Sequence, residues 1–168
     1  MANPASKIHM NFVKFEMRNL DNTSVVVMIA KRGSGKSVLI KDLLYHKRHD
    51  IDTVIVISPT EKDNKCYGNV IPDTFIYSEY HQRIITKIFD RQDYMRKKNE
   101  KRIKKGKKPI RMNLIIVMDD CMYDTKWTKE TVMRSVFYNG RHSKLMLILS
   151  LQYSLAIPPA FRGNIDYV

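Results

Sequence analysis

The chain has 168 residues, 43% of them hydrophobic, which is enough for one domain with a substantial buried core. Its two cysteines, Cys66 and Cys121, lack the spacing of a zinc site and fit a reducing compartment. The longest apolar runs fall far short of the roughly 20 residues that span a bilayer, and the first residues lack a signal-peptide core. The composition therefore argues against a secreted or membrane-inserted protein and predicts a soluble intracellular one.

The formal net charge of +13 is concentrated in one segment of the chain. Residues 96–111 contain ten Lys or Arg and one Glu, which leaves only +4 of the total for all other residues. Polyanions are the natural partners of such a segment, with nucleic acid first and an acidic membrane surface second. The rest of the domain is only mildly basic.

Short β-branched runs bounded by turn residues predict buried strands. In chain order these are 25–29, 53–57, 114–118 and 145–149, with weaker candidates at 8–15 and 75–77. Helical patterns lie between them at 36–46, at 79 to about 105, and at 128–138. In the first of these helices, the spacing predicts a buried face formed by Val38, Leu39, Leu43 and Leu44.

Strands that alternate with helices predict an α/β fold with a mostly parallel central sheet covered on both faces. We expect a single domain over residues 1–168, with the basic segment 96–111 as an insertion or loop within it. Gly106 and Pro109 predict that this segment ends as a loop leading into the strand at 114. The final residues, NIDYV, have the pattern of half a strand, so we expect further C-terminal strands to be missing here.

A small basic loop joins the first strand to the first helix and contains Gly33, Gly35, Lys36 and Ser37. Glycines let backbone N–H groups converge on a phosphate, and a helix N-terminus adds free donors and partial positive charge. Lys36 can then reach the β- and γ-phosphates, and the Ser37 hydroxyl can ligate Mg²⁺. The alternative is a glycine-rich turn with a lysine beside it, since Ala30 replaces the first glycine of the consensus G-x-x-x-x-G-K-[ST].

Two adjacent acids, Asp119 and Asp120, directly follow the apolar strand at 114–118. A strand buried on both faces does not usually end in two acids unless a cation lies nearby. With the phosphate loop upstream, we predict that Asp119 ligates Mg²⁺ through its water shell and that Asp120 polarises the attacking water. The alternative is an Asp that caps the next turn.

Gln152 closely follows the apolar strand at 145–149. In isolation, such a glutamine is expected to hydrogen-bond to a loop backbone. Beside a phosphate loop and an acidic strand end, we predict instead that it senses the γ-phosphate or holds the water.

Three stretches, AKRGSGKS, LIIVMDDC and GRHSKLMLILSLQYS, together resemble the poxvirus-like DNA-packaging ATPases of the nucleocytoplasmic large DNA viruses. That group is a viral branch of the FtsK–HerA superfamily of DNA-pumping motors. The resemblance covers residues 23–168, and the third stretch is the most discriminating because it combines a strand ending in Gln with an arginine just upstream. It implies a RecA/ASCE-like P-loop NTPase fold, a three-layer sandwich around the parallel sheet.

The resemblance also implies a role for each matching residue. Lys36 and Ser37 match the Walker A positions, Asp119 and Asp120 match the Walker B pair, and Gln152 matches the glutamine sensor. The nucleotide would then be held by Ala30, Lys31, Arg32, Gly33, Ser34, Gly35, Lys36 and Ser37.

Arg141 matches the arginine finger that such motors supply to the nucleotide of a neighbouring subunit. An arginine there adds positive charge where the γ-phosphoryl group accumulates negative charge. Arg134 and Arg162 are rival candidates, and a plain surface arginine is the alternative.

ATP and Mg²⁺ are the cofactors that the resemblance implies. It further implies double-stranded DNA as partner, a homo-oligomeric ring of five or six subunits, and contact with capsid or portal proteins. The host cytoplasm, at the viral factory, or the virion is the implied location.

The basic segment predicts DNA binding without sequence readout, because each neutralised phosphate releases counterions. Aromatic residues are absent from it, which favours duplex over single strands. A solvated charged face is the alternative, and a further hypothesis is that a helix of this charge becomes ordered only on DNA. The candidate DNA contacts are Arg96, Lys97, Lys98, Lys101, Arg102, Lys104, Lys105, Lys107 and Lys108.

Taken together, the sequence predicts an ATP-hydrolysing motor that translocates double-stranded DNA during viral genome packaging. Two other classes of protein stay open. A small-molecule or nucleoside kinase would use the same loop but needs a lid, and no arginine-rich lid pattern occurs in the sequence. A non-catalytic basic nucleic-acid-binding module would contain GSGKS only as a turn.

Overall fold

The computed structural model describes residues 13–122 and 124–168. In this part of the chain the strands are β1 (Val25–Ile29), β2 (Thr53–Ile57), β3 (Ile76–Tyr77), β4 (Leu114–Asp119) and β5 (Leu145–Leu151). The α-helices are α1 (Lys36–Lys47), α2 (Glu61–Asn64), α3 (Gln82–Lys104), α4 (Thr131–Asn139) and α5 (Pro159–Arg162). Short 3₁₀ turns occur at Met17–Asn19, Asp73–Phe75, Lys126–Lys129 and Ser154–Ala156.

The described strands form one parallel sheet with the order β1-β5-β4-β2-β3. They therefore all end at one edge, called here the carboxyl edge, and begin at the opposite amino edge. The register aligns Ile29 with Leu151 and Asp119 with Ser150. The ends of β1 and β4 thus lie two strand spacings apart, about 10 Å, so the groups that follow them can meet across β5.

Alternate strand residues face opposite sides of the sheet and form two apolar layers. On one side they pack against Ile40 and Leu43 of α1. On the other side they pack against α3, α4 and α5, where the rings of Phe137 and Phe161 stack with their centroids 4.3 Å apart. Strands β4 and β5 are buried at every position, as strands covered on both faces must be. The three-layer α/β fold predicted from the sequence is confirmed.

The buried face of α1 agrees with the predicted one only in part. Leu43 is buried and Leu44 packs against the core, as predicted. Val38 and Leu39 are instead 64% and 43% exposed, whereas Ile40 is fully buried. The buried stripe also contains Lys47, whose ammonium donates to the carbonyl oxygens of Arg18 and Leu20 and to the side chain of Asn22. Burial lowers the pKa of Lys47. Apolar residues at helical spacing could not indicate the whole stripe, because its member Lys47 is polar and is buried through hydrogen bonds.

Several predicted boundaries shift by a few residues. Helix α3 begins at Gln82 rather than 79, and α4 begins at Thr131 rather than 128 because a 3₁₀ turn and the extended residue Glu130 precede it. The weak strand candidate at 8–15 falls mostly outside the described residues, and 13–15 form no strand. Within the described chain, none of the helices combines the length and apolar character needed to cross a bilayer.

The C-terminal segment lies along the outer side of β1. Tyr167 forms a parallel bridge with Val26, and its carbonyl accepts a hydrogen bond of 2.9 Å from the backbone N–H of Val27. The half-strand predicted for NIDYV is therefore present as a single bridge. Asp166 anchors the segment, since its Oδ2 accepts a hydrogen bond of 2.8 Å from the backbone N–H of Val25.

Candidate nucleotide-binding site

The loop of residues 30–35 joins β1 to α1 at the carboxyl edge. Gly33 and Gly35 have φ angles of 76° and 90°, in the left-handed region that favours glycine. A Cβ added at either position would meet no atom within 4 Å, so the backbone conformation, and not a lack of space, requires glycine. Gly35 is the N-cap of α1, which leaves the free N–H groups of the first turn at the loop. Such a loop is suited to bind an anion.

The side chain of Lys36 folds back over this loop. Its Nζ donates to the carbonyl oxygens of Ala30 at 2.6 Å and Lys31 at 2.9 Å. Ala30, which departs from the consensus glycine, takes part only through its backbone, so its methyl group does not disturb the contact. The ammonium is thus held next to the glycines and the helix N-terminus.

The structure brings the helix that follows the loop together with the acidic end of β4. The hydroxyl of Ser37 donates to Oδ2 of Asp119 at 2.7 Å. These residues are 82 positions apart in sequence, and β5 separates their strands. The two halves of the predicted site therefore share one crevice at the carboxyl edge.

The second acid and the predicted sensor also meet. Nε2 of Gln152 donates to Oδ1 of Asp120 at 2.9 Å. Asp120 has a φ of 56°, in the left-handed region where Asp and Asn are the most common residues after glycine. This turn directs the chain away from β4 immediately after Asp119, so the two acids take different hydrogen-bond partners.

A cavity of about 460 Å³ lies between the loop, the ends of β4 and β5, and the segment after β2. Ser150 borders it with a buried hydroxyl that has no hydrogen-bond partner among the described residues. Larger cavities of about 630 and 720 Å³ are not bordered by the glycine loop, and one of about 550 Å³ that is bordered by it contains no Asp or Glu. The cavity of about 460 Å³ is therefore the best candidate for nucleotide chemistry. This cavity is lined by Arg32, Gly33, Ser34, Gly35, Lys36, Ser37, Val38, Thr60, Asn64, Asp119, Asp120, Ser150 and Gln152.

Sequence reasoning missed Thr60, Asn64 and Ser150, which line the cavity, and also Tyr67, which contacts Asp119. The hydroxyl of Tyr67 donates to Oδ2 of Asp119 at 2.7 Å, and the Tyr67 side chain is fully buried. Burial, with the nearby Asp119 carboxylate as a further cause, raises the pKa of the Tyr67 phenol well above its usual range. The segment around Tyr67 has no periodic pattern and no motif, so the sequence offered no signal for its position.

The oxygen ligands available at the carboxyl edge of the sheet fit a magnesium ion. The Ser37 hydroxyl and the Asp119 carboxylate are hard oxygen ligands held 2.7 Å apart. A Mg²⁺ site of the phosphate-loop kind needs only one or two protein ligands, which phosphate oxygens and water complete.

Arg141 is not brought to this site. It precedes β5 at the amino edge and forms an ion pair with Asp166, which also binds the backbone at the start of β1. The nucleotide crevice of the same chain lies at the opposite edge of the parallel sheet. Arg141 therefore cannot reach the Lys36 loop of its own subunit, and a role toward a neighbouring subunit stays a prediction.

The basic segment begins on α3 where this helix leaves the sheet. Gln92 donates to the carbonyl oxygens of Met112 and Ser143, which lie just before β4 and β5, so α3 passes the amino edge at this residue. The remaining 12 residues of α3, 93–104, extend about 18 Å further, at 1.5 Å per residue. Asn99 pairs with the backbone of Ile110 through two hydrogen bonds of 2.7 Å, so the chain returns alongside the helix.

We call this projection, residues 93–111, the basic arm. The candidate DNA contacts from Arg96 to Lys104 lie on helix α3. Only the last three, Lys105, Lys107 and Lys108, lie in the loop that follows, so the segment predicted as an insertion is mainly an extension of this helix. All nine are exposed except Arg102, which is half-buried and donates to the carbonyl of Lys108. Arg96 is paired with Asp93 at 3.0 Å.

Comparison with known proteins gives relatives in large DNA viruses. An uncharacterized protein of Acanthamoeba polyphaga mimivirus is 39% identical over 165 residues, which is 95% of this chain and 57% of the relative. An uncharacterized protein of Invertebrate iridescent virus 6 is 41% identical over 147 residues, which is 86% of this chain and 53% of the relative. The chain thus spans a little over half the length of these relatives.

Solved structures share the fold at low sequence identity. The DNA-packaging ATPase B204 from Sulfolobus turreted icosahedral virus has a TM-score of 0.58 at 19% identity, covering 86% of this chain and 73% of that one. The genome packaging NTPase B204 from Sulfolobus turreted icosahedral virus 2, in complex with AMP, has a TM-score of 0.59 at 18% identity, covering 88% and 74%. Both support the P-loop ATPase fold.

The family that describes the Poxvirus A32 protein matches residues 12–168, almost the whole chain. This match and the viral relatives confirm the resemblance to the FtsK–HerA-like packaging ATPases of large DNA viruses. The chain belongs to the Poxvirus A32 protein family.

Proposed function

We propose that this chain hydrolyses ATP with Mg²⁺ and couples hydrolysis to the movement of double-stranded DNA during viral genome packaging. The observation that carries the proposal is the 2.7 Å bond between Ser37 and Asp119, which joins the lysine-bearing glycine loop to an acidic strand end. The family match and the packaging NTPases of similar fold support the same reading.

In the proposed site the loop of residues 30–37 holds the phosphates through its backbone N–H groups. Lys36 exchanges its bonds to the carbonyls of Ala30 and Lys31 for phosphate oxygens, which neutralises charge that develops on the γ-phosphoryl group. Ser37 and Asp119 hold Mg²⁺, which when bound neutralises and orients the phosphate oxygens.

Asp120 is the proposed acceptor of the proton from the attacking water. Its carboxylate lies at the cavity, and Gln152 donates to one of its oxygens. Among the described residues the other oxygen has no donor, so it can accept from water. Gln152 connects Asp120 to the end of β5 and is placed to report whether a γ-phosphate is present.

Replacing Asp120 with Asn is expected to lower kcat for ATP by about 10²-fold or more while nucleotide affinity stays unchanged, because only the proton acceptor is lost. The measurement pairs steady-state hydrolysis with binding of a fluorescent ATP analogue. Asp124→Asn is the control, since Asp124 is an exposed acid four positions away that pairs with Lys126. Normal turnover in Asp120→Asn would remove Asp120 from the mechanism.

Arg141 is the proposed arginine finger for an adjacent subunit. Its position at the amino edge, away from its own crevice, means that such a role would have to be exerted in trans. Ring assembly of five or six subunits would then be a condition for fast hydrolysis. The proposed partners are capsid or portal proteins of the virus. The proposed location is the viral factory in the host cytoplasm or the virion.

The test is the ATPase rate with and without duplex DNA. It is measured on this chain and on a chain extended past Val168 to the length of the relatives. We expect hydrolysis that requires Mg²⁺ and rises when duplex is added. A kinase would instead need a small-molecule acceptor, and a binding module would bind duplex without hydrolysis. Either of these results would refute the motor.

A further inference from the structure

The carboxylate of Asp119 is held by two donors on the same oxygen. The Ser37 hydroxyl and the Tyr67 hydroxyl each donate to Oδ2 at 2.7 Å. Within the described residues, no hydrogen bond falls on Oδ1. The carboxylate is therefore fixed through one oxygen and can present the other.

Tyr67 acts as a donor to Asp119 in this arrangement. Its side chain is fully buried, and its hydroxyl lies 2.7 Å from Oδ2 of a carboxylate, which accepts but does not donate when ionised. A buried hydroxyl needs a hydrogen-bond partner, and the partner of Tyr67 is the carboxylate that is predicted to hold Mg²⁺. Hydrogen bonds to an ionised acceptor are about twice as strong as those between neutral groups.

The loop that carries Tyr67 is itself tied to the sheet by a buried acid. Glu61, the first residue of α2, accepts hydrogen bonds from the backbone N–H of Tyr67 at 2.9 and 3.0 Å and of Gly68 at 2.8 Å. Glu61 is 9% exposed and follows β2, the neighbour of β4. A chain of hydrogen bonds thus runs from Glu61 through Tyr67 to Asp119 and Ser37.

We propose that Tyr67 is a positioning residue for the metal site: its hydroxyl holds Oδ2 of Asp119 so that Oδ1 and the Ser37 hydroxyl face a bound Mg²⁺. Glu61 supports this by fixing the backbone of Tyr67. The inference rests on the proposed function, because it assigns a role toward the Mg²⁺ of the ATP site. Partners of this kind typically set metal affinity by 10–100-fold.

The experiment measures how Mg²⁺ changes the binding of a fluorescent ATP analogue, which needs no turnover. In Tyr67→Phe the ring still fills its place and only the donor is lost. We expect the Mg²⁺ concentration at half-effect to rise by about 10-fold or more, with analogue binding in EDTA unchanged.

Tyr80→Phe is the matched control. The Tyr80 hydroxyl also donates to a carboxylate, that of Glu130, and its pKa is also raised by burial. Tyr80 does not line the nucleotide cavity. This variant is expected to keep the Mg²⁺ half-effect concentration of the original chain, while its melting temperature shows what loss of a buried hydroxyl does to stability.

Glu61→Gln provides a second test that does not change Tyr67. It weakens the hold on the loop backbone and is expected to raise the Mg²⁺ half-effect concentration in the same direction, by less than Tyr67→Phe. If Mg²⁺ strengthens analogue binding to the original chain and both variants give the same half-effect concentration as that chain, the positioning role is refuted while the ATP site stands. If the original chain shows no Mg²⁺ effect, the ATP site and the positioning role both fail.

Discussion

Replacing Lys36 with alanine is expected to abolish ATP turnover, with a loss of at least about 10²–10³-fold in kcat/KM, the effect of removing one preorganised group that stabilises transition-state charge. The ammonium of Lys36 lies on the glycine loop, hydrogen-bonded to two backbone carbonyls, and Lys36 lines the cavity proposed for the phosphates. The loss combines weaker nucleotide binding with an uncompensated charge on the γ-phosphoryl group.

Lys41→Ala controls for the loss of a lysine from the same helix. Lys41 lies one and a half turns further along α1 and does not line the nucleotide cavity. Steady-state hydrolysis and binding of a fluorescent ATP analogue are measured for both variants. We expect Lys41→Ala to retain both properties. If Lys36→Ala hydrolysed ATP at the rate of the original chain, the assignment of the loop would be wrong.

Neutralising the basic arm is expected to weaken duplex DNA binding by about 10³-fold at roughly 0.1 M salt. The change replaces the nine candidate lysines and arginines between 96 and 108 with glutamine, a residue that keeps good helix propensity. These side chains project from the amino edge on an extension that, in the described structure, contributes no residue to either core layer, so their loss should leave both layers intact. Each lost phosphate contact should also reduce the slope of log K against log salt by about 0.9.

The measurement is duplex affinity over a salt series, together with the basal ATPase rate without DNA. A variant with arginine at the seven lysine positions is the control, since attraction to phosphate depends on charge and not on sequence readout. We expect it to retain affinity. DNA binding at low salt that survives neutralisation would show that the arm is only a solvated charged surface.

The proposed nucleotide site and the proposed DNA-binding arm are far enough apart to be tested independently of each other. The crevice with Lys36 and Asp119 lies at the carboxyl edge, and the basic arm leaves the sheet at the amino edge. Loss of DNA binding by the arm variant should therefore leave nucleotide binding unchanged. Hydrolysis stimulated by DNA requires communication between the edges, for which α3 is the direct connection, since it runs from the end of β3 past the start of β4.

Local sequence was sufficient wherever the chemistry of a residue follows from its immediate neighbours. The glycine loop before α1 and the acids after β4 could be predicted to lie at the same edge of the sheet, because each directly follows an apolar strand. The strands themselves were predicted nearly to the residue, since burial on both faces requires unbroken apolar runs. The helix face of α1 could not be predicted, because Lys47 is buried through hydrogen bonds to a distant segment.

Patterns along the chain were enough to predict a parallel α/β protein with a glycine–lysine–serine loop, a pair of acids after an apolar strand, and one dense positive segment. The three-dimensional fold was needed to show that β5 separates β1 from β4, that Ser37 meets Asp119 across it, and that Arg141 lies at the opposite edge. The structure alone also placed Tyr67 on Asp119. The reason is physical: periodicity reports which side chains are buried, whereas strand order and loop packing depend on contacts between residues far apart in the chain, which no local pattern encodes.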